Sequence, residues 1–134
     1  MRINFSVDEE RPGQFALWDA NVQRSIKGRA GQAALRELEA ALVAMPVKRL
    51  LYGVLCMDDG EVCAIGAYAR HKGLDLSRFD PEAETDAVGV EAGMPRLIAW
   101  EVVMENDRDR WRVSHEQRYD QMLAWVRAQL KESV

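Results

Sequence analysis

The stretch from Leu50 to Leu74 constrains the fold more than any other part of the chain. It contains an apolar run at residues 50–57, then the dipeptide Asp59-Gly60, then a second apolar run. Asp-Gly between two apolar runs is typical of a two-residue type I′ turn that joins antiparallel strands. The sequence therefore predicts a two-stranded β-hairpin near residues 50–63.

Helical patterns account for most of the remaining chain. Small and apolar residues from Ala64, then the basic run Arg70-His71-Lys72 and Gly73, predict a short helix with a glycine C-cap directly after the hairpin. The spacing of apolar residues and a high content of good helix formers predict further helices elsewhere. These helices are expected at residues 14–27, 31–45, 81–92, 95–105 and 115–131. The last begins with Ser114-His115-Glu116-Gln117, the pattern of a capping box.

These patterns predict an α+β fold in a single globular domain of residues 1–134. It is expected to be mostly helical, with about five helices packed on the central β-hairpin. Helix 95–105 is apolar on more than one side, so we expect it to be largely buried. Residues 1–13 are expected to form an extended lead-in or an edge strand, because polar and apolar residues alternate there.

Charge is distributed unevenly along the 134 residues, whose net charge is −4. Residues 80–107 carry eight carboxylates and one arginine, so this segment has a net charge of −7 while the rest of the chain is +3. Such a segment disfavours binding to nucleic acid. It suits a basic protein partner, and the alternative is a solvated face that only keeps the protein in solution. No apolar run approaches the roughly 18 residues that span a bilayer, and the N-terminal residues lack a signal-peptide pattern. A cytoplasmic protein is therefore expected.

The two cysteines invite three chemical hypotheses. In the register of the predicted turn, Cys56 faces Cys63, but a reducing cytosol disfavours a disulfide between them. With His71 and His115 as the only histidines, the cysteines form no zinc pattern, and no metal or cofactor is predicted. Cys63, His115 and either Asn106 or Asp107 are the residue types of a cysteine nucleophile site, although no cation close to Cys63 in sequence lowers its pKa.

Two further patterns suggest other activities. The glycine and apolar spacing from Val88 to Val102 resembles a DNA-binding helix-turn-helix. Its second helix, however, lacks the outward donors that read bases, since Arg96 is its single cation. Glu101 and Glu105 lie one helical turn apart and, with Asp107, could bind a hard cation, but no further ligand is placed beside them.

The chain resembles a diffuse family of small uncharacterised proteins that are common in phages and prophages. The resemblance covers about residues 28–128 and rests on short motifs. These are Gly31-Gln32, Leu35-Arg36-Glu37-Leu38, Met45-Pro46, Asp59-Gly60, Cys63-Ala64-Ile65-Gly66-Ala67, Gly73-Leu74-Asp75, Glu105-Asn106-Asp107, Arg118 and Trp125-Val126. The resemblance implies a mobile genetic element but carries no established activity. This chain departs from the family in Arg108-Asp109-Arg110, which follows the Asn-Asp pair, and in His115, where a proline is usual.

The leading hypothesis is a non-enzymatic interaction module of a phage or prophage that modulates a basic host protein through an acidic surface. Candidate interaction residues are Glu82, Glu84, Asp86, Asn106, Asp107, Arg108 and Arg110. The second hypothesis is an enzyme of unknown type centred on Cys63 and Asn106-Asp107. The third is a helix-turn-helix regulator.

Overall fold

The computed structural model describes residues 12–131, with side-chain surroundings from residue 17 onward. This part of the chain forms an all-α domain of six α-helices. The helices are α1 (Pro12–Lys27), α2 (Arg29–Ala44), α3 (Ala64–His71), α4 (Thr85–Glu91), α5 (Arg96–Asn106) and α6 (His115–Gln129). Short 3-10 turns at Leu76–Arg78 and Arg110–Arg112 complete it. The predicted lead-in of residues 1–13 lies almost wholly outside the described residues, and Pro12 already begins α1.

The predicted α+β fold with a central hairpin is wrong. Among the described residues, the segment 50–63 contains no strand and a single isolated β-bridge, between Cys56 and Val62. Its backbone N–H groups bond in several directions instead of to one partner strand. The N–H of Leu50 donates to the carbonyl of His115, and that of Leu55 donates to the carbonyl of Pro81.

The turn explains why the hairpin does not extend. The N–H of Gly60 donates to the carbonyl of Met57, and the N–H of Met57 donates to the carbonyl of Glu61. This closes a three-residue loop in which Gly60 has a φ of +90°, instead of the predicted two-residue loop. The extra loop residue pairs Cys56 with Val62 and leaves Cys63 one position beyond the ladder. Cys63 is already the N-cap of α3, so the chain turns into a helix before a second strand can form.

Helix α3 is the centre of the core. Every residue from Ala64 to Ala69 is buried, and the helix contacts α2, α4 and α5. Its small side chains permit this close packing: a Cβ added to Gly66 would lie 2.7 Å from the carbonyl oxygen of Leu55. Helix α2 supplies the predicted apolar stripe, in which Leu35, Leu38 and Leu42 are fully buried.

Three predicted helix boundaries are close to those observed. Helix α5 begins after Pro95, and α2 ends one residue before Met45. Helix α6 begins with the predicted capping box, in which the Ser114 hydroxyl accepts from the N–H of Gln117. Helix α4 is shorter than predicted, since Asp80 accepts the N–H of Glu82 in a turn and delays the start to Thr85. No helix in residues 12–131 is long and apolar enough to cross a membrane.

Candidate functional site

The predicted interaction residues Glu82, Glu84 and Asp86 lie together at the start of α4, and we call them the acidic surface. Glu82 and Glu84 are exposed in the loop before the helix, and Glu84 is its N-cap residue. Asp86 is half-buried in the first turn, where a carboxylate is favoured by the helix dipole. The three side chains therefore present negative charge at one end of a short helix.

The two glutamates of the acidic surface differ from most other glutamates of the described chain in having no cation of their own. Elsewhere, ion pairs join Glu37 to Lys72, Glu39 to Arg127, Glu61 and Glu116 to Arg49, Glu91 to Arg78, and Glu105 to Arg108. Within residues 12–131, none of the three side chains of the acidic surface lies within 4.0 Å of a basic group. Their charge is therefore available to a partner.

Asn106 is a buried structural residue. It is 2% exposed, and its Oδ1 accepts the N–H of Ala64 at 2.9 Å. Its Nδ2 donates to the carbonyl of Leu51 at 2.8 Å and to Oδ1 of Asp107 at 2.9 Å. Asp107 Oδ1 also accepts the N–H of Gly53 at 3.0 Å. Asn106 thus joins the end of α5, the start of α3 and the 51–53 segment, and it presents no free surface to a partner.

Arg118 holds the loop that contains Arg108 and Arg110. Its guanidinium is 1% exposed and donates to the carbonyls of Asn106 at 2.5 Å, of Arg108 at 2.8 Å, and of Arg110. Burial lowers the pKa of Arg118, while the nearby Asp107 acts in the opposite direction. These bonds from the buried Arg118 fix the backbone of the loop, and the side chains of Arg108 and Arg110 are exposed to solvent. Arg108 pairs with Glu105 at 3.4 Å.

The enzyme hypothesis is favoured by the proximity of Cys63 to Asn106 and opposed by the surroundings of the Cys63 thiol. Cys63 and Asn106 are neighbours, since Asn106 accepts the N–H of the residue that follows Cys63. Cys63 is only 3% exposed, however, and burial raises its pKa to about 12. The reactive form of a cysteine is the thiolate, which this environment disfavours. The predicted base His115 instead contacts Arg49 and Glu61, with Nδ1 at 3.3 Å from Arg49 Nη2.

The DNA-binding hypothesis and the cation-site hypothesis gain little from the geometry. Helices α4 and α5 do follow each other across a tight turn, but α5 presents Trp100 and Met104 to solvent, which are not donors for base edges. Asp107 is engaged with Gly53 and Asn106, and residues 12–131 contain no group of three metal-binding side chains.

Two clefts flank the three-residue turn at 58–60, away from the predicted site residues. One, of about 560 Å³, lies between the end of α2 and α3 and is lined by residues that include Ala41, Met45 and Ala67. The other, of about 570 Å³, lies on the opposite side of the turn and is lined by residues that include Leu74 and Phe79. None of the seven predicted interaction residues lines either cleft. The acidic surface is thus exposed protein surface instead of a pocket for a small substrate.

Sequence reasoning missed an apolar surface formed by α1 and α5. The rings of Trp18 and Trp100 meet edge to face, and both are more than two-fifths exposed. Leu17, which precedes Trp18, and Met104, one helical turn after Trp100, are exposed as well. Helix α5 was expected to be largely buried, yet Trp100 and Met104 show that one of its apolar sides faces solvent. The sequence did contain a signal for this surface, since apolar residues occur on more than one side of α5. Such a helix must either be enclosed or leave an apolar face exposed to solvent.

Comparison of the chain with protein-family models, with curated proteins and with solved structures finds no match. The resemblance to phage and prophage proteins therefore stays a prediction.

Proposed function

We propose that the protein is a non-enzymatic interaction module whose acidic surface binds a basic region of a partner protein. The observation that carries the proposal is that Glu82 and Glu84 are exposed without a cation among residues 12–131, whereas most other glutamates there are paired. Free surface carboxylates attract positively charged partners and raise both association rate and specificity. The resemblance to phage and prophage proteins suggests a bacterial host protein as the partner.

The surroundings of Cys63 support a non-enzymatic role. Its thiol is buried and neutral, and the polar groups of Asn106 and Asp107 are engaged in bonds to backbone N–H and carbonyl groups. Groups that act on a substrate must reach a shared reacting atom. Asn106 and Asp107 serve instead to connect the end of α5 to residues 51–53 and to the start of α3, and Cys63 caps the N-terminus of α3.

The experiment is a capture assay with a charge-reversal variant and a matched control. Wild-type protein, Glu82→Lys/Glu84→Lys and Asp58→Lys/Asp120→Lys are immobilised at equal density and exposed to a bacterial lysate. Asp58 and Asp120 are exposed and form no side-chain hydrogen bond or ion pair within the described residues. Asp86 is left unchanged because it is half-buried in the first turn of α4, whereas Glu82 and Glu84 are exposed.

Both variants change the net charge by the same amount, so a difference between them reports position and not total charge. We expect specific proteins to be captured by the wild type and the control but at least about tenfold less by the Glu82/Glu84 variant. Capture should also fall as salt rises, since exposed charges are screened. Equal capture by all three proteins, or by none, would contradict the proposal.

A further inference from the structure

The apolar surface on α1 and α5 has the composition of a binding surface. We call it the aromatic patch, formed by Leu17, Trp18, Trp100 and Met104. The ring centroids of Trp18 and Trp100 are 6.4 Å apart at an interplanar angle of 84°. Leu17 is 65% exposed, Met104 is 55% exposed, and the two tryptophans are 42% and 43% exposed. Tryptophan is enriched among the residues that dominate binding energy at protein interfaces, and contiguous exposed apolar side chains mark such interfaces.

Negative charge borders the aromatic patch. Glu101 follows Trp100 on α5, and its pKa is raised by burial, then by the nearby carboxylates of Glu105 and Asp19. Glu105 has Arg108 as a partner, whereas Glu101 and Asp19 have no cation within 4.0 Å among residues 12–131. The patch therefore combines two partly exposed indole rings with a border on which Glu101 and Asp19 outnumber the exposed cation Arg96, which lies one turn before Trp100 on α5.

We propose that the aromatic patch is the docking surface for a basic amphipathic helix of a partner protein. Apolar residues on one face of that helix would cover Trp18 and Trp100, and its lysine or arginine side chains would reach Glu101 and Asp19. A cation that passes over an exposed indole face gains a further attraction. This inference rests on the proposed interaction function and names the chemistry of the partner.

Charge selects this occupant over others. In a symmetric dimer the same patch would meet itself and bring its acidic borders together, which is unfavourable. The same border would be repelled by nucleic acid and by an anionic lipid surface. A cationic segment with an apolar face satisfies both parts of the surface.

The probe is a synthetic 18-residue helical peptide that carries leucine on one face and lysine on the other. Two comparison peptides keep its length: one has glutamate in place of lysine, and the other has the same leucines and lysines in a scrambled order. Binding is measured by isothermal titration calorimetry to the wild type, to Trp18→Ala/Trp100→Ala, and to Trp111→Ala. Trp111 is 74% exposed and lies outside the patch, so its variant is the matched control.

We expect the leucine-lysine peptide to bind the wild type and the Trp111 variant alike, and to bind the Trp18/Trp100 variant at least about tenfold more weakly. Because loss of both rings could also disturb the packing of α1 on α5, Leu17→Gln/Met104→Gln is measured as well and should weaken binding in the same direction. Both variants should retain the wild-type circular dichroism spectrum. The glutamate peptide and the scrambled peptide should bind at least about tenfold more weakly than the leucine-lysine peptide.

Three results would overturn the inference. The first is equal binding of the leucine-lysine peptide to the wild type and both patch variants. The second is equal binding of the scrambled peptide. The third is a sedimentation experiment in which the wild type is a dimer and the Trp18/Trp100 variant is a monomer, which would assign the patch to a second copy of the chain. If lysate capture depends on Glu82 and Glu84 while the peptide ignores the patch, the proposed function stands and this inference fails.

Discussion

Substitution of Asn106 by alanine tests whether the buried polar contacts hold the domain together. The change removes the side chain that accepts the N–H of Ala64 and donates to the carbonyl of Leu51, and both groups then lie buried without a partner. Each unsatisfied buried polar group costs about 1–3 kcal/mol, so we expect a loss of about 3 kcal/mol in the free energy of unfolding. Asp107 loses less, because it still accepts the N–H of Gly53.

The measurement is urea unfolding followed by tryptophan fluorescence. With an m-value of about 2 kcal/mol/M, a loss of about 3 kcal/mol lowers the midpoint by about 1.5 M urea. The control is Asn21→Ala, because Asn21 is exposed and accepts one surface bond from Arg24. Its free energy of unfolding should stay within about 0.5 kcal/mol of the wild type. A loss below about 1 kcal/mol for Asn106→Ala would refute the structural role of this side chain.

Two further predictions concern the start of α3 and its packing. Because burial raises the pKa of Cys63 to about 12, iodoacetamide at pH 8 should label Cys56 in the native protein and leave Cys63 unmodified. Peptide mass spectrometry measures the labelling of each cysteine. Labelling of both at similar rates would show that Cys63 is reactive. Gly66→Ala should lower stability by about 1–3 kcal/mol in thermal unfolding, since its Cβ would lie 2.7 Å from the Leu55 carbonyl oxygen and 2.9 Å from Val62 Cβ. Gly28→Ala, whose Cβ would approach no atom closer than 3.4 Å, changes only the N-cap of α2 and should cost less than about 1 kcal/mol. A Gly66 variant as stable as this control would contradict the packing described for α3.

Local patterns in the sequence were sufficient for most helices. The stripe of Leu35, Leu38 and Leu42 and the Ser114 capping box each depend on residues three or four apart, and both are present as predicted. The hairpin prediction was wrong because Asp-Gly can close a loop of two or three residues. The loop length decides the pairing register, and a shift of one residue moves every following side chain to the opposite face. Here the three-residue loop separates Cys56 from Cys63 and allows α3 to begin at once.

The role of Asn106 depends on contacts that no local pattern specifies. Its partners Ala64 and Leu51 are 42 and 55 residues away in sequence. A helix-terminal asparagine can equally well bond to nearby backbone, so its position at the end of α5 did not reveal these contacts. Trp100 poses a similar problem, since several sides of α5 are apolar and only the packing of α1, α3, α4 and α6 decides which side remains exposed.

The acidic surface is tested most directly by the affinity of a captured partner for three forms of the protein. A protein recovered on the wild type is purified, and its Kd is measured by biolayer interferometry for the wild type, Glu82→Lys/Glu84→Lys and Asp58→Lys/Asp120→Lys. We predict that the Glu82/Glu84 variant binds at least about tenfold more weakly than the wild type, whereas the control stays within about threefold. A Kd that is equal for the two variants would contradict binding through the acidic surface.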